Sequence, residues 1–329
     1  MRKTLIVGGG IQRMNNSGIV TKMAKHLGGM ITMCNGILPT FPLDQDLIIW
    51  MPDIDNEKPK DYPKKKQGAV LICSKVMREG YTHIDSVSRI FKMRGNAVIE
   101  IYKNEYGIYE FELRDALNNS WCNRTSNLIY LVDSIIELYI WTKCSIRKSL
   151  EKGLFSEPVI DNIEEVERFL RINEELSHKV AVGCGNRYFG NYSTRCTRLF
   201  PNMISNENWY LFSGRNTPKD CIKIEDMVPC TDERYYGDRK PSVDAPVQID
   251  IYKKFPELKF MIHGHAFIVN NETTKNYFPC GDLREVKEVV EMIKIGIRTI
   301  NLKNHGFLIV GESVDEIISH ANDCEFVTL

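Results

Sequence analysis

Along the first 150 residues, short apolar runs alternate with stretches whose apolar residues recur every three or four positions. TLIVGG (4–9), MITMCNG (30–36), DLIIWMP (46–52), AVLICS (69–74), AVIEIYK (97–103) and YGIYEFEL (106–113) have the length and the β-branched content of strands. Between them, Ile19, Val20, Met23, Ala24 and Leu27 make one helical face, with Ser17 as capping residue and Gly28-Gly29 as the stop. HIDSVSRIFKMRG (83–95) also reads as a helix, and residues 126–148 predict one long helix. NEKPKDYPKKKQG (56–68) is a charged, proline-bearing loop. This alternation predicts an α/β, Rossmann-like domain with a mainly parallel sheet over residues 1–150.

Residues 149–163 read as a linker. Beyond it, IEEVERFLRINEELSHKVA (163–181) is an amphipathic helix. Short strands broken by glycine turns follow in GNRYFGNYSTRC (185–196), NWYLFSG (208–214), KFMIHGHAF (259–267) and GFLIVGE (306–312). LREVKEVVEMIKIG (283–296) is helical, and Ser313 with Glu316 predicts a capped final helix. The second domain, residues 160–329, is therefore expected to be mixed α/β with a largely antiparallel sheet.

Composition narrows the class. A chain that is 43% hydrophobic and 26% charged reads as globular. The 43 basic side chains balance the 43 acidic ones, which argues against nucleic acid as a partner. The most apolar helix, LIYLVDSIIELYIWTK (128–143), carries Asp133 and Glu137 and is expected to be buried in protein, not membrane. The run Leu5–Val7 is too short for a signal peptide, and the ten cysteines lack CxxC spacing. The expectation is a cytoplasmic protein with reduced thiols.

The chemistry concentrates in MIHGHAFIVN (261–270). Residues i and i+2 of a strand share a face, which puts His263 and His265 side by side, about 6–7 Å apart at Cα. Gly264 leaves space on the opposite face. Two histidines at this spacing serve equally as core hydrogen-bonders or as ligands. His305 stands at the entrance of a further apolar strand and supplies a third imidazole. Three imidazoles with an open position make a divalent-metal site of the zinc type. His26, His83, His178 and His320 show no such pattern.

PSVDAPVQIDIYKKFPELKFMIHGHAF (241–267) and KNHGFLIVGES (303–313) together resemble the class II aldolase/adducin family, which shares a serine–acid, HxH and NHG pattern. FGNYSTR (189–195) resembles its phosphate loop, and LFSGRNTPKDCIKIEDMV (211–228) its Ser-Gly stretch. The resemblance spans about half of the chain. It implies a class II aldolase-like α/β/α domain, a Zn2+ ion on His263, His265 and His305, and a homo-oligomer with sites between subunits. It further implies Asp244 as acid/base or fourth ligand, and a small phosphorylated sugar or keto acid bound by Asn191, Ser193, Ser213, Gly214 and Ser242. Read on their own, these last five offer the hydroxyls, amides and backbone N–H groups that an anion needs, or are simply tight turns. Two departures stand out: Leu211-Phe212 replace the family's Thr-Pro, and Val243 replaces its second serine. Aldol cleavage, epimerisation, dehydration and decarboxylation share an enediolate, so the resemblance implies a lyase or isomerase without choosing between them.

In the first domain, Gly9, Gly10, Ser17 and Gly18 place glycines and a helix start after a strand, an arrangement that can cradle a nucleotide phosphate. This part faintly resembles phosphopantothenoylcysteine synthetase through Gly8-Gly9-Gly10, Asn16-Ser17-Gly18, Gln45–Ile49 and the lysines of Asp61–Lys66. The family's alanine run is replaced by Trp50-Met51-Pro52. Two alternative functions follow: a non-catalytic adducin-like scaffold, and a nucleotide-dependent ligase housed in the first domain.

Overall fold

The computed structural model describes residues 2–8, 18–34, 44–52, 68–154, 163–180, 183–184, 187–196 and 208–328. It is an α/β chain that divides into two compact units, Met1–Cys144 and Ser145–Leu329.

The first unit contains β1 (Lys3–Gly8), α1 (Ile19–Leu27), β2 (Met30–Cys34), β3 (Leu47–Met51), β4 (Val70–Val76) and α2 (His83–Met93). It continues with β5 (Ala97–Lys103), β6 (Tyr109–Asp115), β7 (Ser120–Thr125) and α3 (Leu128–Lys143). Its sheet runs β2-β1-β3-β4-β5-β6-β7. The pairs from β2 to β5 are parallel, and β6 and β7 join antiparallel. Alternation divides each strand between two cores. Ile6, Ile49 and Ile72 pack with α1 and α3, whereas Leu5, Val7, Ile48 and Trp50 pack with Ile90 and Met93 of α2. A parallel sheet covered on both faces needs such uninterrupted apolar strands.

Several expectations change here. The long helix ends at Lys143 and not at 148; it begins after Asn127, whose side chain accepts from Ile129 N at 3.0 Å. Strand β7 (SWCNRT) escapes sequence reading because a polar edge strand carries almost no alternation. Gly9, Gly10 and Ser17 lie outside the described residues, as do the lysines 64–66. Gly18, in place of Ser17, occupies the cap position of α1 in extended conformation.

The second unit begins with β8 (Glu151–Lys152), which pairs with β14 inside the stretch read as a linker. Then come α4 (Ile163–Leu170), α5 (Ile172–Ser177), β9 (Gly183–Cys184), β10 (Arg187–Tyr188), β11 (Asn191–Cys196) and β12 (Trp209–Ser213). β13 (Met227–Cys230), β14 (Arg234–Tyr235), α6 (Ala245–Lys254), β15 (Phe260–Gly264) and β16 (Ala266–Ile268) follow. The unit closes with α7 (Glu285–Lys294), β17 (Thr299–Leu302), β18 (Gly306–Gly311), α8 (Val314–Asn322) and β19 (Phe326–Thr328). The main sheet runs β17-β18-β15-β11-β12-β13-β14-β8 and is antiparallel except for its β14–β8 edge.

Two layers of helix cover this sheet. Phe260 and Ile262 of β15 pack with Phe169 of α4, Leu176 of α5 and Ile317 of α8. Met261 faces the other way, against Ile249 and Tyr252 of α6 and Val289 of α7. His263 follows Met261 by two residues and so emerges on the α6/α7 side. Helix α6 carries Asp244 at its N-cap, and α7 opens with Glu285.

Candidate metal centre

Strand β15 ends at His263-Gly264, and His265 sits in the bend before β16. His305 occupies the turn that opens β18, whose Phe307 pairs with Gly264. The register therefore brings both segments to one end of the sheet. The rings of His263, His265 and His305 lie 5.1, 4.9 and 5.4 Å apart, centroid to centroid. One nitrogen from each ring lies within 4.8 Å of the other two. Phe307 fills the space expected beside Gly264, where a Cβ would stand 2.5 Å from its ring.

Each ring is held differently. His263 Nδ1 donates to Phe307 O at 2.8 Å, which fixes the tautomer and turns Nε2 toward the cluster as an acceptor. His305 Nδ1 meets Glu285 Oε1 at 3.0 Å. His265 stacks on Phe189, with ring centroids 4.9 Å apart and planes 15° from parallel. Gly190 follows Phe189 at φ +76°, and a Cβ there would fall 2.4 Å from His263 O. Only glycine lets the chain pass so close to the histidine strand.

The site's electrostatics favour lone pairs on two of the rings. Burial pushes His263 down to about 4, helped by charge on His305 and opposed by Asp244. Burial likewise holds His265 well below the usual value, with His263 and His305 adding to it. Burial also works against charge on His305, but Cys280 and Glu285 outweigh it and hold that ring well above the usual value. Glu285 is raised, chiefly by burial, with His305 pulling the other way. His263 is 3% exposed and His305 1%, yet the Nε2 of each has no hydrogen-bond partner. A buried imidazole nitrogen without a partner is costly, and a cation that displaces the proton on His305 is the partner this donor set fits.

The expected substrate residues are only partly assembled. Asp244 Oδ1 accepts from Gly281 N at 2.6 Å, and Oδ2 lies 3.9 Å from His263 Nε2. Asn191 Nδ2 donates to Ser242 Oγ at 3.2 Å, and Ser242 Oγ is 3.4 Å from Asp244 Oδ2. Asn191 Oδ1 is buried without a partner. Ser193 Oγ, in contrast, donates to Gln248 Oε1 at 2.7 Å inside the core beside Tyr252. Ser213 Oγ accepts from Tyr192 N at 3.1 Å, and Gly214 N donates to Asp226 O. These three serve the fold in the present geometry. Gly18 lends its carbonyl to Lys22 N. Glu285, Cys280 and Phe189 are site residues that sequence reasoning missed.

A second group of ligand-capable atoms joins His83, Glu100 and Glu112 in the first unit. Arg114 stands among them, 2.5 Å from Glu112 and 3.6 Å from Glu100. The Arg114 guanidinium already pairs with both carboxylates, which makes the group an ion-pair network.

No protein-family model matches the chain, and no curated protein matches it. Solved structures of class II aldolase type match about half of it. A sugar-phosphate aldolase from Thermotoga maritima is 15% identical, over 48% of this chain and 89% of that one, with a TM-score of 0.39. An L-fuculose-1-phosphate aldolase from Thermus thermophilus is 16% identical, over 47% and 86%, with a TM-score of 0.35. The N-terminal class II aldolase domain of a conserved Thermoplasma acidophilum protein is 18% identical, over 54% and 99%, with a TM-score of 0.36.

Proposed function

We propose that the second unit is a metal-dependent enzyme that moves a proton beside the carbonyl of a small sugar or keto acid, in an aldolase, epimerase or decarboxylase reaction. The observation that carries this reading is the pair of buried, unpartnered Nε2 atoms on His263 and His305, converging with His265. These three residues would hold a divalent cation, assigned as Zn2+, which supplies Lewis acidity toward the substrate's oxygens. Asp244 acts as the acid/base: Gly281 N holds Oδ1, and Oδ2 faces His263 to take and return the proton. Asn191 Oδ1, unpartnered, accepts from a substrate hydroxyl, while Ser242 offers a hydroxyl alongside.

Elemental analysis of the full chain, purified without chelator, is expected to find one equivalent of divalent metal, lost in His263→Ala. In D2O, small α-hydroxyketones and hydroxypyruvate are expected to gain deuterium beside the carbonyl. Asp244→Asn should stop that exchange while retaining the metal. A chain that binds no Zn2+, Co2+ or Mn2+ refutes the proposal.

A further inference from the structure

We propose that Cys280 supplies a sulfur ligand to the cation held by His263, His265 and His305, a three-nitrogen, one-sulfur site in the substrate-free state whose sulfur position substrate oxygen takes over. The inference rests on the metal centre proposed above. Cys280 Sγ, a carboxylate oxygen of Asp244 and a ring nitrogen of His305 all lie within 4.8 Å of one another. The thiol thus stands beside the same imidazole that the two other histidines approach.

A proximal cysteine alone means little; here the neighbouring atoms point to a ligand. Glu285 engages His305 Nδ1, so the buried Nε2 is the nitrogen left for coordination. His263 repeats the arrangement, with Phe307 O on Nδ1 and a buried, unpartnered Nε2. The backbone also fixes where Cys280 sits. Asp282 N donates to Pro279 O at 3.1 Å and closes a turn around Cys280-Gly281. Gly281 has φ +74°, and a Cβ there would come within 2.7 Å of Val243 O. Its amide is bound to Asp244 Oδ1 at 2.6 Å. The thiol is therefore carried on a turn pinned to the candidate acid/base. Five residues later the same segment supplies Glu285, the support of His305.

Coordination forms a sulfur–metal bond as the S–H bond breaks; the proton leaves to solvent and nothing is oxidised. A thiolate among imidazoles selects Zn2+ and Co2+ over Mg2+ and Ca2+, which prefer oxygen.

The test titrates the metal-free full chain with Co2+ under anaerobic conditions. Wild type is expected to bind one equivalent with a near-ultraviolet sulfur-to-cobalt charge-transfer band. Cys280→Ala should still bind Co2+ through the histidines, lose that band and lose at least about tenfold in affinity. Cys280→Ser serves as the control should the alanine variant fold poorly. X-ray absorption on the Zn2+ form should show one sulfur at about 2.3 Å. Stoichiometric Co2+ without the band, or a band that survives in Cys280→Ala, overturns the sulfur ligand and leaves the metal centre standing. Absence of binding in wild type removes the centre itself, and this inference with it.

Discussion

Lys219 offers the sharpest energetic test of the second unit. It is 4% exposed, and its Nζ donates one hydrogen bond, to Thr217 O at 2.9 Å. It lines a small cavity with Phe189, Tyr192, Ile262 and Phe307. Burial pulls its pKa from 10.5 down to about 8, with Asp226 offsetting only part of the effect. At about 1.4 kcal/mol per tenfold change in proton affinity, the charged form weakens the fold by about 3 kcal/mol. The unfolded chain binds the extra proton between about pH 8 and 10.5, so wild-type stability gains from this group as pH rises through that window. Lys219→Met removes the ammonium and keeps most of the volume. It also forfeits the bond to Thr217, about 1 kcal/mol. The expected net gain is about 2 kcal/mol below pH 8, shrinking toward zero or below by about pH 10.5. Urea unfolding read by hydrogen exchange on peptides from residues 208–328 measures this directly. A Lys219→Met protein that is less stable at neutral pH, or whose difference from wild type does not vary with pH, refutes the reasoning.

Three other substitutions probe the site. Glu285→Gln removes the carboxylate behind His305 and should weaken Zn2+ binding by about 10–100-fold in a competition titration, while an unchanged affinity would detach Glu285 from the centre. Gly264→Ala drives a Cβ to 2.5 Å from the Phe307 ring and should cost about 1–3 kcal/mol, read as a fall in Tm; an unaltered Tm contradicts the packing described. Ser193→Ala leaves Gln248 short of a buried donor and should cost about 1–3 kcal/mol without altering phosphate affinity. Lost phosphate binding at unchanged stability would return Ser193 to the substrate.

The parts of the fold legible in sequence are those where one physical period dominates. The apolar strands around Leu5, Ile48 and Ile72 and the helical face from Ile19 to Leu27 show their periods plainly. Helix α6 does not. Its sequence, APVQIDIYKK, is buried at seven of its positions, Gln248 among them, and its polar face is only Asp250, Lys253 and Lys254 at the C-terminal end, less than the two turns a period needs to show. The histidine pair was readable from its HxH spacing, although only His263 lies on β15 and His265 turns toward it from the bend that follows. Its support was not readable, since Glu285 reaches His305 from a turn closed by its own amide on Asp282 O. Ser193 shows the opposite limit: strand alternation gives the direction of a side chain, but only packing with Gln248 and Tyr252 decides how deep it lies.

The pairing of Gly264 with Phe307 has a kinetic corollary. Before β18 zips onto β15, His305 is some forty positions along the chain from its companions, and no half-made nest awaits an ion. Late pairing of β18 with β15 would let added Zn2+ slow only the escape from the native state, and a refolding rate that rises with Zn2+ would place that pairing in the transition state.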